Sequence, residues 1–160
     1  MTQAVVAGAI AVAVLNAIPA LLGGWRTYRG ESAADKSSAS RSASTFWILL
    51  RIGQGSALTL AILVGSLSVA GKSSTDTLFY LYALLPLVVA FVAEQLRVAA
   101  AQTILDQRGL PDAQAVGALP EAEQHAVVAA IVAREMGIMA LSALVVVFLA
   151  LRAAGTAHGF

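Results

Sequence analysis

Four stretches of this chain run for most of a membrane thickness without a charged residue. They are Met1 to Trp25, Ile52 to Gly71, Thr77 to Ala93 and Met136 to Leu151. A helix that is apolar on all sides has no face to offer to water. The hydrocarbon core of a bilayer is about 30 Å thick and takes about 20 apolar residues of helix. Within it, each backbone N–H and C=O must be bonded inside the segment, so helix is the form these runs adopt. Charged residues make up 12% of the chain and hydrophobic ones 59%. An average soluble domain is about 25% charged, and the shortfall argues for contact with lipid. The expected fold is all-α, an antiparallel four-helix transmembrane bundle forming a single domain over residues 1–160. The spans are expected at 4–22, 46–71, 77–105 and 120–153.

Taken in order, the first run lacks the basic n-region of a signal peptide and reads as a retained span. Asn16 and Pro19 are expected to interrupt its second half, and Ala9, Ala13 and Ala17 give it a small-residue face. Residues 26–45 are serine-rich and polar, with the composition of a flexible linker. In the second span, Gly53, Ala57, Ala61 and Gly65 recur every four positions and form one stripe. Hydrophobic burial cannot drive helix association in lipid, so close packing across small residues takes its place. A short turn, Lys72 to Asp76, makes the second and third spans antiparallel neighbours. The third, Thr77 to Arg108, reads as the element around which the others pack. It continues past Glu94 with no stop signal, and at 1.5 Å per residue it is about 48 Å long. Residues 106–119 contain the breakers Gly109, Pro111 and Gly117 and read as a loop. Pro120 opens the fourth helix, with Glu121 and Glu123 at its positive end. Its first half is amphipathic, so the third and fourth helices are expected to project together into the cytoplasm. The last six residues read as a frayed tail.

Charge sets the orientation. Arg26, Arg29, Lys36, Arg41 and Arg51 lie in or beside the first long connection, and Arg97, Arg108 and Arg134 in or beside the third. The other side has Lys72 and Arg152. The positive-inside rule places both long connections in the cytoplasm and both termini outside. Trp25, Tyr28, Phe46 and Trp47 are expected to form the inner aromatic belt, and Phe79, Tyr80 and Tyr82 the outer one.

Counting from the outer helix ends at 1.5 Å per residue, Glu94 lies about 26 Å deep, Arg134 about 27 Å and Arg51 about 30 Å. Three helices therefore bring charge to one level near the cytoplasmic interface. The candidate polar cluster is Arg51, Gln54, Glu94, Arg97, Arg134 and Glu135. Ionisable residues in a span mark ligand or proton sites, and this cluster suits an anionic head group, a quinone or a proton path. It equally suits mutual pairing at the interface, with Glu94 expected on Arg134 or, failing that, on Arg97, and with Glu135 directed towards Arg51 or solvent. Asn16 and Gln54 suit interhelical hydrogen bonding. With no cysteine, thiolate chemistry is excluded, and His125 and His158 lie at the edge of or outside the apolar spans, which argues against bis-histidine haem within the membrane. No catalytic, metal or cofactor residue is assigned, and a net charge of +1 gives no reason to expect nucleic acid.

The four spans and the outside N-terminus resemble in layout the membrane-associated glutathione and eicosanoid protein family. That resemblance implies a glutathione-type transferase. The family carries Asn and Glu in an Arg-rich motif on its second helix, and here the matching place reads Arg51-Ile-Gly-Gln54-Gly-Ser, with neither. Tyr80 to Tyr82, Ala93 to Arg97 and Arg134 to Gly137 resemble more closely a group of small, uncharacterised four-span proteins of high-GC bacteria. That resemblance implies a bacterial cytoplasmic membrane and lends no activity. The expected function is a non-catalytic accessory or scaffold subunit of a larger membrane complex, respiratory or transport. The alternative is a homo-oligomeric carrier of a small molecule, lipid or quinone. The expected partners are the lipid bilayer and either that complex or further copies of the chain.

Overall fold

The computed structural model describes residues 2–29 and 36–158, with side chains for 2–28 and 43–158. Among them are five helices and no strand: α1 (Thr2–Arg29), α2 (Lys36–Val69), α3 (Thr77–Gln107), the short α4 (Ala113–Gly117) and α5 (Glu121–Thr156). α1, α3, α5 and the part of α2 from Ala43 to Val69 are each long and apolar enough to cross a membrane, as in a multi-pass membrane protein.

The helices run longer than their sequence limits suggest. α1 continues on both sides of 4–22 and passes through Asn16 and Pro19 as one helix. A proline removes its own backbone donor and crowds the carbonyl four residues back, and neighbouring helices support such sites in apolar helices. The serine-rich stretch is helical at 26–29 and 36–45, while residues 30–35 lie outside the described part. Its flanks contain no proline and its one glycine is Gly30. Serine, alanine, lysine and arginine all extend a helix already begun. In the loop, α4 forms because the Asp112 side chain accepts a hydrogen bond from Ala115 N at 2.9 Å, capping a turn that the breakers alone did not reveal.

Two glycines stop helices by the same device. Gly71 (φ 75°) and Gly109 (φ 68°) take the left-handed conformation. In each case the next residue's N–H reaches back across the last turn: Lys72 N to Leu67 O at 2.9 Å and Leu110 N to Leu105 O at 3.0 Å. This is the Schellman ending, which favours glycine because no Cβ meets the carbonyl. Asp76 then caps α3 by accepting from Leu78 N at 2.9 Å.

The closest packing is not on α3. α1 and α5 share the most extensive interface, followed by α3 with α5 and α1 with α2, while the α2–α3 seam is the sparsest of the four. One core cluster joins Val5, Ala9 and Val12 of α1 to Leu60 and Val64 of α2, Phe79 and Ala83 of α3, and Ala150 and Ala153 of α5. The second joins Ala20 to Phe46, Leu50, Ala93 and the Met136–Ala143 turns of α5. The start of α1 therefore packs on the end of α2, the start of α3 and the end of α5.

Small residues bring the backbones together. A Cβ built on Gly23 would lie 2.6 Å from Ala140 Cβ and 2.8 Å from Phe46 Cε2, so three helices meet over that glycine. Phe46 and Phe79, expected in the aromatic belts, are buried in the core instead. Each fills a hole between helices and meets its neighbouring ring edge-on, Trp47 at 5.3 Å and Tyr80 at 5.4 Å between centroids. Trp25 and Tyr28 are exposed.

The tail is held at its start. His158 O accepts from Thr75 N at 3.0 Å and from Ser74 Oγ at 2.9 Å. The sequence reading of a frayed end therefore fails up to His158, because the turn after α2 offers donors that the end of α5 lacks on its own.

Candidate functional site

The residues singled out in the sequence fall into two groups. The first is packing. Gly53, Ala57 and Ala61 of the stripe are buried, while Gly65 is exposed with open space where a Cβ would stand. Gly53 faces Asn16. A Cβ there would lie 2.7 Å from Asn16 Oδ1, so only glycine lets the amide come this near. Asn16 is 2% exposed, and its Nδ2 donates to Val12 O at 2.9 Å and to Gly53 O at 3.2 Å. The one amide thus serves its own helix and ties α1 to α2. The serine and threonine hydroxyls of the apolar helices are satisfied similarly. Ser56 donates to Gly53 O at 2.6 Å and Ser142 to Met139 O at 2.8 Å, so they add no free polarity to the interior.

The second group is charged and bridges the sparse α2–α3 seam. Trp47, Arg51 and Gln54 are spaced four and three apart and share a face of α2. Glu94 and Arg97 do the same on α3. Arg51 Nη1 donates to Glu94 Oε1 at 2.6 Å and to Gln54 Oε1 at 2.6 Å. Arg97 Nε stands 3.5 Å from Glu94 Oε2, and its guanidinium carbon lies 5.3 Å from the centroid of the Trp47 ring. Glu94 therefore sits between two arginines from different helices, and an aromatic face takes the second. A charge placed against a ring face adds about 0.5–1 kcal/mol where exposed.

Arg134, the first expected partner of Glu94, is exposed; Glu94 pairs with Arg97, the expected alternative, and with Arg51, which the sequence did not pair with it. The depth count gave the right level but not the helix rotation. Arg134 and Glu135 are about 100° apart on α5, and the half-buried Glu135 is the one that interacts electrostatically with Arg97 and Glu94. Gln54 joins this cluster as an acceptor for Arg51, where the sequence suggested an interhelical bond.

The sequence reading missed Trp47 as part of the site. Its spacing of four from Arg51 was the available signal. It also missed the α5 seam Ala140, Ala143, Ala150 and Ala153, all buried, whose spacings of three and seven were legible.

Two open grooves flank these features. One, of about 270 Å³, lies between α1 and α2 over Gly8, Val12, Ser56 and Leu60. The other, of about 450 Å³, is lined by Trp47, Ile48, Arg51 and Ile52. Among the described residues no three His, Cys, Asp or Glu side chains group as metal ligands. His125 and Glu121 approach to 3.4 Å on an exposed helix face and stand as a pair. Arginines and carboxylates in this arrangement lock helices and bind anions. Compared with protein-family models, with curated proteins and with solved structures, the chain finds no match.

Proposed function

We propose that this chain is a non-catalytic integral membrane protein, an antiparallel four-span bundle that serves as an accessory or scaffold subunit of a larger membrane complex. The observation that carries this reading is the uneven covering of its helices. α3 is the least buried of the four candidate spans, at 22% of its apolar window against 33–39% for the others. Its outward face presents Leu81, Leu84, Val88, Phe91 and Val92, a continuous apolar surface along much of its length. The interior is assembled from alanine and glycine contacts and from internally satisfied polar groups, which suits a structural part. The positive-inside rule applied to the loop arginines puts both termini outside and, in the cytoplasm, the end of α3 next to Arg108 and the end of α5 that carries Glu121.

Purification in mild detergent tests the reading directly. Recovery of a larger membrane protein in fixed stoichiometry supports it, and recovery of this chain alone as a homo-oligomer refutes it. A second reading, a homo-oligomeric carrier, is favoured by the open groove beside Arg51. Mass spectrometry of ligands retained after gentle extraction distinguishes it.

A further inference from the structure

Arg51 is held by one edge and open on another. Both protons of its Nη1 are engaged, by Gln54 Oε1 and by Glu94 Oε1. A guanidinium has five N–H donors. The remaining three, on Nε and Nη2, make no hydrogen bond among the described residues. Nε and Nη2 together form a fork that meets two oxygens of a phosphate or carboxylate at once. Because Nη1 is anchored at two points, the orientation of that fork is set before any ligand arrives. The side chain is 54% exposed and lines the groove of about 450 Å³ with Trp47, Ile48 and Ile52.

The walls of the groove say what kind of anion fits. Ile48 and Ile52 are 61% and 48% exposed, and open space over Gly55 continues the same helix face deeper into the apolar run. A soluble phosphate would use the fork and leave these side chains bare. A phospholipid uses both. At this level the chain carries three guanidiniums, Arg51, Arg97 and Arg134, against two carboxylates, Glu94 and Glu135, which favours a lipid of net negative charge.

We propose that Arg51 holds the phosphate of an anionic phospholipid through Nε and Nη2, with Trp47 at head-group level and an acyl chain along Ile52 and Gly55. The proposal rests on the membrane-spanning reading of α2.

The test uses the full chain in detergent, with phosphatidylglycerol and phosphatidylcholine as probes and native mass spectrometry as the readout. Phosphatidylglycerol is expected to bind in preference to phosphatidylcholine, and Arg51→Gln to weaken it about tenfold, the loss of a charge-assisted contact. Arg152→Gln, at the other end of α5, is expected to leave binding unchanged. Glu94→Gln keeps an acceptor for Nη1 and removes a competing charge, so it is expected to tighten binding. That gain would not arise from a misfolded chain. Equal binding of the two lipids, equal retention by Arg51→Gln, or displacement by millimolar inorganic phosphate would each overturn the site. Alkaline extraction of membranes is read separately: a chain that washes off refutes the spanning reading itself, whereas one that stays but ignores phosphatidylglycerol refutes only the site.

Discussion

Adding one methyl group at Gly23 should be far more damaging than adding it one residue later. At Gly23 the new Cβ would stand 2.6 Å from Ala140 Cβ and 2.8 Å from Phe46 Cε2, and at Gly24 it would meet nothing within 4 Å. Carbon atoms rest at about 3.5–4.0 Å, so the first overlap must be relieved by moving α1 away from α5. Overpacking of this kind costs about 1–3 kcal/mol. Against it stands the helix-propensity gain of glycine to alanine, up to about 1 kcal/mol. Gly23→Ala should therefore be neutral at best and destabilised by up to about 2 kcal/mol, the difference of those two figures. Gly24→Ala should keep the propensity gain alone and be stabilised by up to about 1 kcal/mol. Unfolding in mixed detergent micelles, followed by the fluorescence of Trp25 and Trp47, measures both. Gly23→Ala combined with Ala140→Gly removes one of the two overlaps and should recover part of the loss. If the two single variants unfold together, the close approach of α1 to α5 is wrong.

Three further outcomes are expected. With no native cysteine, a cysteine at Ser38 should resist impermeant thiol reagents in intact cells and one at Ser74 should react, and the reverse labelling would invert the orientation. A double-mutant cycle of Arg51→Gln and Glu94→Gln should give a coupling of about 0.2–1 kcal/mol, as for partly exposed pairs. The same cycle with Arg134 in place of Arg51 should give none, and a larger Arg134 coupling would discard the observed pairing. Gly71→Ala should lose about 1 kcal/mol of stability in the same micelle assay, since the left-handed backbone there suits glycine, and a stable variant would contradict the Schellman ending.

The apolar runs made the four long helices legible, because charge is the one thing that lipid does not forgive in bulk. Helix ends were less so. Asp112 reads as one more polar loop residue until its carboxylate is seen on Ala115 N, and the flanks of the serine-rich stretch lack any breaker that would announce helix or coil. In the site, sequence separation located Arg51, Glu94 and Arg134 at one depth along the helix axes. Depth says nothing of rotation, and an error of one residue on α5 exchanges Arg134 for Glu135. Phe46 and Phe79 were misassigned for a related reason. An aromatic side chain near a helix end suits the membrane interface and suits a gap above a glycine, and only the neighbour, Gly23 in one case, decides between them.

The bonds from Ser74 and Thr75 to the carbonyl of His158 fasten the end of α5 to the turn between α2 and α3. The acceptor belongs to the main chain, so the fastening does not depend on the imidazole. Replacing His158 by almost any residue would leave it in place, and a screen of point substitutions there would report an unimportant position. Ending the chain at Thr156 would remove that acceptor and leave a turn some eighty residues earlier in the sequence with only the 3.5 Å contact of Ser74 Oγ to Thr156 O. At His158 the chain therefore acts through its main chain and not through its side chain, and it is by shortening, not by substitution there, that this contribution would become visible.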